Sequence, residues 1–305
     1  MGVENATPIH VETLVNFLVD TAVKPINIPS TPGGGKSQHI GNYETRMVKV
    51  FNARSMSTNF SIDREGFSLV NFNTNVKDFY DQTQIEAIYN KELEHLIKGE
   101  TGADKVVIFD HTLRAGDPKI RQEKMVREPV QRAHNDYTIK SGPIRVRDWF
   151  GEEKSVDLLK NRFAIINVWR SIVGNVEQDP LALCDARSVS LKNLVATERR
   201  AKERVGETYR LTFDPEQKWF YFPQMKKNEA ILIKSYESDK NGRARFTPHT
   251  AFEDPTSEKN GAPRQSIESR VFAFFEFFSS VITNVSIEIS TYLIVLFGAT
   301  NSVYN

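Results

Sequence analysis

The chain has 305 residues, 39% of them hydrophobic and including 20 Phe and 9 Tyr, which is enough apolar material for one large β-rich domain. Lys and Arg number 40 against 39 Asp and Glu, so net charge supplies no global pull toward nucleic acid or an anionic membrane. The single cysteine, Cys184, excludes an internal disulfide and a thiolate metal cage, and it suits a reducing, cytoplasmic compartment.

Residues 1–45 read as an N-terminal extension of helix and loop. The stretch MGVENATPIHVETLVNF has no basic segment followed by an apolar one, so no secretory signal is expected. Ala6 stands where a myristoylation motif needs Ser or Thr. Val11 to Val23 spaces its apolar residues as a helix does, and Pro25, Pro29 and Pro32 end it. The run Thr31-Pro-Gly-Gly-Gly-Lys-Ser37 fails as a phosphate-binding loop. Ser30 occupies the place of the first glycine, and the preceding INIPS is too short and proline-bounded for the strand that motif requires.

Residues 46–272 read as the main domain. Met47 to Phe72 alternates like strands, with a turn at Asp63-Arg64-Glu65-Gly66. Asn75 to Lys98 is the clearest helix, its stripe of Phe79, Ile85, Ile88, Tyr89, Leu93 and Leu96 ended by Gly99 and Gly102. Lys105 to Phe109 is a short buried strand. From residue 130 a series of strand-like runs follows, interrupted by a basic, helix-prone piece from Leu191 to Arg204. Many short strands after a helical N-terminal part predict a β-rich α+β fold, a jelly roll with helices outside. Residues 273–305 form an apolar tail. Glu276 and Glu288 cut it into runs shorter than the roughly eighteen residues a membrane helix needs, so no membrane span is expected. Its alternation at Val285 to Ile289 suggests an edge strand or a homodimer contact.

His134-Asn-Asp136 sits in a strand-like run, where residues i and i+2 share a face, so an imidazole and a carboxylate project together. His249, on a distant strand-like run, is the natural third donor. Two imidazoles and one carboxylate make a facial triad that leaves half of an iron's coordination sphere open. Arg264 and Ser266 also share a face by the i, i+2 rule. A guanidinium fork beside a hydroxyl suits the distal carboxylate of 2-oxoglutarate. Arg270, further along the same strand, competes with Arg264 for that role. Arg170 reads either as a contact to cosubstrate or substrate or as a structural partner of Asp185. Tyr137, His111 and Cys184 read as packing or structural groups.

Several longer stretches carry a resemblance: Val107-Ile-Phe-Asp-His-Thr-Leu-Arg114, Ala133-His-Asn-Asp-Tyr137, Asn167-Val-Trp-Arg170 and Pro180-Leu-Ala-Leu-Cys-Asp-Ala-Arg-Ser188. Trp219-Phe-Tyr-Phe-Pro223, Arg245-Phe-Thr-Pro-His-Thr-Ala-Phe252 and Arg264-Gln-Ser-Ile-Glu-Ser-Arg270 complete them. Together they resemble the fungal and bacterial hydroxylase/desaturase family, which includes gibberellin desaturase and endoperoxide- and aziridine-forming oxygenases. The resemblance implies a double-stranded β-helix, iron(II), 2-oxoglutarate and dioxygen. It also implies hydroxylation, desaturation or oxidative cyclisation of a small secondary-metabolite substrate. The implied iron ligands fall on His134, Asp136 and His249, and the implied cosubstrate arginine falls most simply on Arg264. Gln265 and Glu237 depart mildly from the family's usual Glu and Asp, and the tail departs more. Two competing readings use the same residues: a zinc-dependent hydrolase or isomerase on the triad, or a non-catalytic jelly-roll binding module.

Overall fold

The structure is a computed structural model that describes residues 8–19, 23–34, 37–202 and 204–275. The readings made for the tail beyond Phe275 lie outside the described residues. The chain first forms β1 (His10–Leu18), β2 (Ile26–Ile28), β3 (Gln38–Ile40), β4 (Tyr43–Asn52) and β5 (Phe67–Asn71). After the main helix come β6 (Lys105–Ala115), β7 (His134–Asn135), β8 (Arg162–Ser171), β9 (Leu181–Cys184), β10 (Leu194–Arg200) and β11 (Val205–Leu211). β12 (Trp219–Tyr221), β13 (Glu229–Glu237), β14 (His249–Ala251) and β15 (Gln265–Phe275) follow.

These strands make two sheets, one in the order β5-β13-β8-β15-β6 and a larger one in the order β1-β4-β12-β9-β14-β7-β11-β10-β2-β3. From β6 to β9, and again from β12 to β15, successive strands alternate between the sheets. That winding is the double-stranded β-helix, as the sequence led us to expect. The hairpin β10–β11 is inserted between the two windings and widens the larger sheet. Bridges from Asn16 to Arg132 and from Leu18 to Thr212 curl that sheet back on itself. The curl encloses Val11, Val15, Val48, Val50, Cys184, Leu211 and Trp219.

Between the sheets, Leu183 and Phe220 of the larger one pack on Phe67, Trp169, Ile231 and Ile233 of the smaller one. The outer face of the smaller sheet is covered by helical chain. Ile85, Tyr89, Leu93 and Ile97, four residues apart and fully buried, pack on Ile166, Val168, Ile267 and Val271. Each such side chain contributes roughly 1.5–3 kcal/mol over an exposed one. The helix starts later than its apolar pattern implies, because Asp81 caps it through the Thr83 amide. Asn75 and Lys77 instead donate their amides to the side chains of Glu92 and Gln84. Its end is a left-handed Gly102 at φ 70°, with Gly99 inside the last turn.

Two expected helices are strands. Val11 to Leu18 lies in β1, paired along its length with β4, and Val11, Thr13, Val15 and Phe17 point inward. Over so short a run a two-residue period coexists with a helical one, and its β-branched Val and Thr favour the strand. Leu191 to Arg204 holds a short turn and then β10, which pairs with β11 and with β2. Val195 and Thr197 again favour extended backbone.

Candidate active site

His134 on β7 and His249 on β14 are direct partners in adjacent antiparallel strands, so their side chains emerge on the same face. Their ring centroids are 4.6 Å apart. Each ring is fixed the same way, its Nδ1–H donating to the carbonyl two residues earlier: His134 to Arg132 at 2.8 Å, His249 to Thr247 at 3.0 Å. Those bonds set the tautomer and turn both Nε2 lone pairs toward Asp136. His134 Nε2 lies 3.7 Å from Asp136 Oδ1, and the three donor atoms all lie within 4.8 Å of one another.

Local chain geometry makes this possible. β7 is two residues long, and Asp136 lies just past its end. The buried Asn135 amide donates to the Tyr137 and Ser235 carbonyls, and its oxygen accepts from the Thr247 amide. One side chain thus ties the turn bearing Asp136 to the segment leading into His249. Gly66 makes a further tie: its carbonyl accepts from Thr247 Oγ1 at 3.0 Å. At φ +91°, a Cβ there would lie 2.1 Å from that oxygen, so only glycine fits.

The Asp136 carboxylate is gripped on one side only. Oδ2 accepts from Asn167 Nδ2 at 2.7 Å and from Arg270 Nε at 2.8 Å. Asn167 and Asp110 flank Arg270 on the neighbouring strands β8 and β6. Arg270 also pairs with Asp110 and Glu268 and bonds Thr112 Oγ1. Burial opposes charge on Asp136, but the Arg270 guanidinium outweighs it by charge and hydrogen bond and holds the carboxyl well below the usual range. Burial, with His249 and Arg210 nearby, keeps the His134 imidazole neutral, its pKa well below the ordinary value. Two imidazole nitrogens and an ionised carboxylate match the donor set of a divalent metal with open positions. His249 Nε2 is buried without a hydrogen-bond partner, so the pocket is built for an acceptor of its lone pair.

Arg264 and Ser266 lie at the start of β15, 3% and 1% exposed. Arg264 donates to the Asp179 carbonyl and stacks over Trp169 at 5.3 Å, leaving its Nε without a partner. Ser266 Oγ is also without one. Burial lowers the Arg264 pKa to about 10, with Asp179 opposing and Arg114 assisting. Arg270, the competing arginine, is engaged with Asp136. Arg170 lies on the other face of β8, over the rings of Phe72 and Phe79, and donates to the Lys227 carbonyl. Asp185 pairs with Arg187 instead. His111 is structural, bridging Ser269 and Asn90 beneath the helix. The roles of Asn167, Asp110 and Glu268 were not read from the sequence, although all three stand inside the motifs that carry the resemblance.

Residues 15–274 match a family described as an oxidoreductase/YMDC permease-like domain. Among the described residues no helix is long and apolar enough to cross a membrane. A hydroxylase/desaturase of Cercospora beticola, CTB9, is 35% identical over 255 residues, covering 77% of this chain and 78% of that protein. The hydroxylase/desaturase efuI of Hormonema carpetanum is 32% identical over 258 residues, with 77% and 85% covered. The solved structure of the iron and α-ketoglutarate-dependent endoperoxidase NvfI superposes with a TM-score of 0.78 at 26% identity, covering 88% of this chain and 99% of that one.

Proposed function

The chain belongs to the hydroxylase/desaturase family of iron(II)/2-oxoglutarate-dependent oxygenases, and we propose that His134, Asp136 and His249 hold its iron while Arg264 and Ser266 hold its cosubstrate. It is an oxidoreductase of secondary metabolism that uses iron(II), 2-oxoglutarate and dioxygen on a small-molecule substrate. The observation that carries the site assignment is the convergence of three donor atoms, one of them a buried imidazole nitrogen with no other partner.

Iron and 2-oxoglutarate together supply, with dioxygen, an oxidant able to take hydrogen from an unactivated C–H bond. The chain's own residues bind, orient and shield. The Arg132 and Thr247 carbonyls hold each imidazole with Nε2 forward. Arg270 and Asn167 occupy one oxygen of Asp136, so Oδ1 would be the oxygen offered to the metal. The free Nε of Arg264 and the hydroxyl of Ser266 offer charge-assisted hydrogen bonds to a carboxylate. The apolar packing around Trp169, Leu183 and Ile233 keeps water from that end. We extend the proposal to a cytoplasmic location, given the lone buried Cys184, and to a homodimer as the assembly that light scattering would check.

Anaerobic addition of iron(II) and 2-oxoglutarate should give a weak visible charge-transfer absorption, which a zinc hydrolase or an empty jelly roll would not produce. Asp136→Ala should abolish both that absorption and carbon dioxide release from 2-oxoglutarate. Turnover retained in this variant would sink the assignment.

A further inference from the structure

The face that carries the two histidines continues outward across the inserted hairpin. Arg210 on β11 is the direct partner of His134. Farther along, Thr208 faces Thr197 and Gly206 faces Arg199 on β10, and Arg199 in turn lies beside Asn27 of β2. Side chains alternate along a strand, so Arg210, Thr208, Thr197 and Arg199 share the face of His134.

This surface is cationic and incompletely bonded. Arg210 is 2% exposed, yet its Nε and Nη1 find no hydrogen-bond partner. Arg199 is partly buried and makes no ion pair with any described residue. The buried Asn27 Oδ1 and Thr208 Oγ1 beside them are also without partners. Burial pulls the Arg199 pKa down to about 10, and Arg270 adds to this. Burial likewise lowers Arg210, with the neighbouring Tyr43 phenol opposing and Arg132 adding to the repulsion. Asp136 is a carboxylate that acts on both arginines, and it is already bonded to Arg270, which it shares with Asp110 and Glu268.

A buried guanidinium without an anion is costly, so the working complex must supply one. Loading the site does not: iron(II) brings two positive charges and 2-oxoglutarate two negative ones. On the reading given above, Arg264 and Ser266 take the cosubstrate's far carboxylate. We propose that Arg199 and Arg210 form a pocket for an anionic group, a carboxylate or an equivalent oxyanion, carried by the organic substrate itself. This inference rests on that reading of the site. Strands stand about 4.8 Å apart and rise about 3.3 Å per residue, so the Arg210 backbone is roughly 5 Å and the Arg199 backbone roughly 16 Å from that of His134, and the anion lies between them on this face.

The test uses benzoate as the probe and benzamide as its uncharged match, titrated anaerobically into the full-length protein saturated with iron(II) and 2-oxoglutarate. Perturbation of the charge-transfer absorption reads binding. Benzoate should bind about tenfold more tightly than benzamide, as expected for one charge-assisted contact pair. Arg199→Gln and Arg210→Gln should each bring the two probes within about twofold of each other, with 2-oxoglutarate affinity held within about twofold. Arg199→Lys, which keeps the charge at a partly accessible position, should retain part of the preference. Equal or absent binding of the two probes to the unmodified protein overturns the proposal. So does loss of 2-oxoglutarate affinity in Arg199→Gln, or displacement of 2-oxoglutarate by benzoate. If the charge-transfer absorption never forms, the iron-site reading fails instead.

Discussion

Two of the clusters of buried charge among the described residues are built differently. Near the turn at Asp63, the Lys234 ammonium, 1% exposed, pairs with Asp63 and with Glu237 at 3.1 Å. Arg162 adds a 2.8 Å contact to Glu237, and Arg243 a 3.0 Å contact to Asp63. The Lys234 charge is met from both sides within the chain. Around Arg270 the carboxylates of Asp110, Asp136 and Glu268 also gather about one cation. Here the network stops short: Asp136 Oδ1 and two imidazole nitrogens are turned inward together. A closed network of buried charge holds strands in register. A network with donors left over is one that could hold a metal ion, as proposed for this one.

Removing the central cation from each network tests that distinction, and these are the largest effects expected. Arg270→Ala strands buried carboxylates and should cost about 3–5 kcal/mol of stability. It should also weaken iron(II) binding about 10–100-fold, because Asp136 loses the group that orients it. Lys234→Ala should cost a similar roughly 3–5 kcal/mol, but per folded molecule its iron affinity and carbon dioxide release should match the unmodified protein. Chemical denaturation and iron titration measure both quantities. A tenfold loss of iron affinity in Lys234→Ala would erase the contrast between the networks.

Arg264→Gln comes next. On the proposed assignment it removes a charge-assisted contact to the cosubstrate and leaves the three proposed iron ligands alone, so the KM for 2-oxoglutarate should rise about tenfold or more, equivalent to roughly 1.5–3 kcal/mol. Iron affinity measured without cosubstrate should be unchanged. If Arg270→Lys raised that KM while Arg264→Gln did not, the cosubstrate assignment would pass to Arg270.

How much of this was legible in the sequence follows from the range of each interaction. The i, i+2 rule brought His134 and Asp136 together although the strand ends at Asn135, because the turn that follows keeps Asp136 on the same side. The order His134, Asp136, His249, Arg264 pointed to the chemistry, since strand winding fixes which segments meet. Arg270 as the partner of Asp136 was not legible. That contact spans 134 positions and depends on which strand of the smaller sheet faces β7. The inserted hairpin was missed for a local reason: Leu191 to Arg204 carries charges at spacings a solvated helix also shows, and pairing with β11 and β2 decided otherwise. Arg199 was thus read as part of a basic, helix-prone piece, when it lies on the strand face it shares with His134.

The smallest expected effect concerns acid, and it separates the networks by pH. Burial raises the Asp63 carboxyl, but hydrogen bonds and charge from Lys234, then Arg243 and Arg162, bring it below its ordinary 3.8. A carboxyl whose pKa falls on folding stabilises the fold above its unfolded value and loses that contribution as pH drops through the folded one. Lys234→Met removes the strongest downward pull while preserving volume. Its stability deficit should therefore be full at neutral pH and should narrow as pH falls below about 4, where Asp63 takes up its proton in either protein. Thermal unfolding from about pH 7 to about pH 3 reads this directly. A deficit of constant size across that range would mean that Asp63 does not owe its ionisation to Lys234, and that this network holds its strands by packing more than by charge.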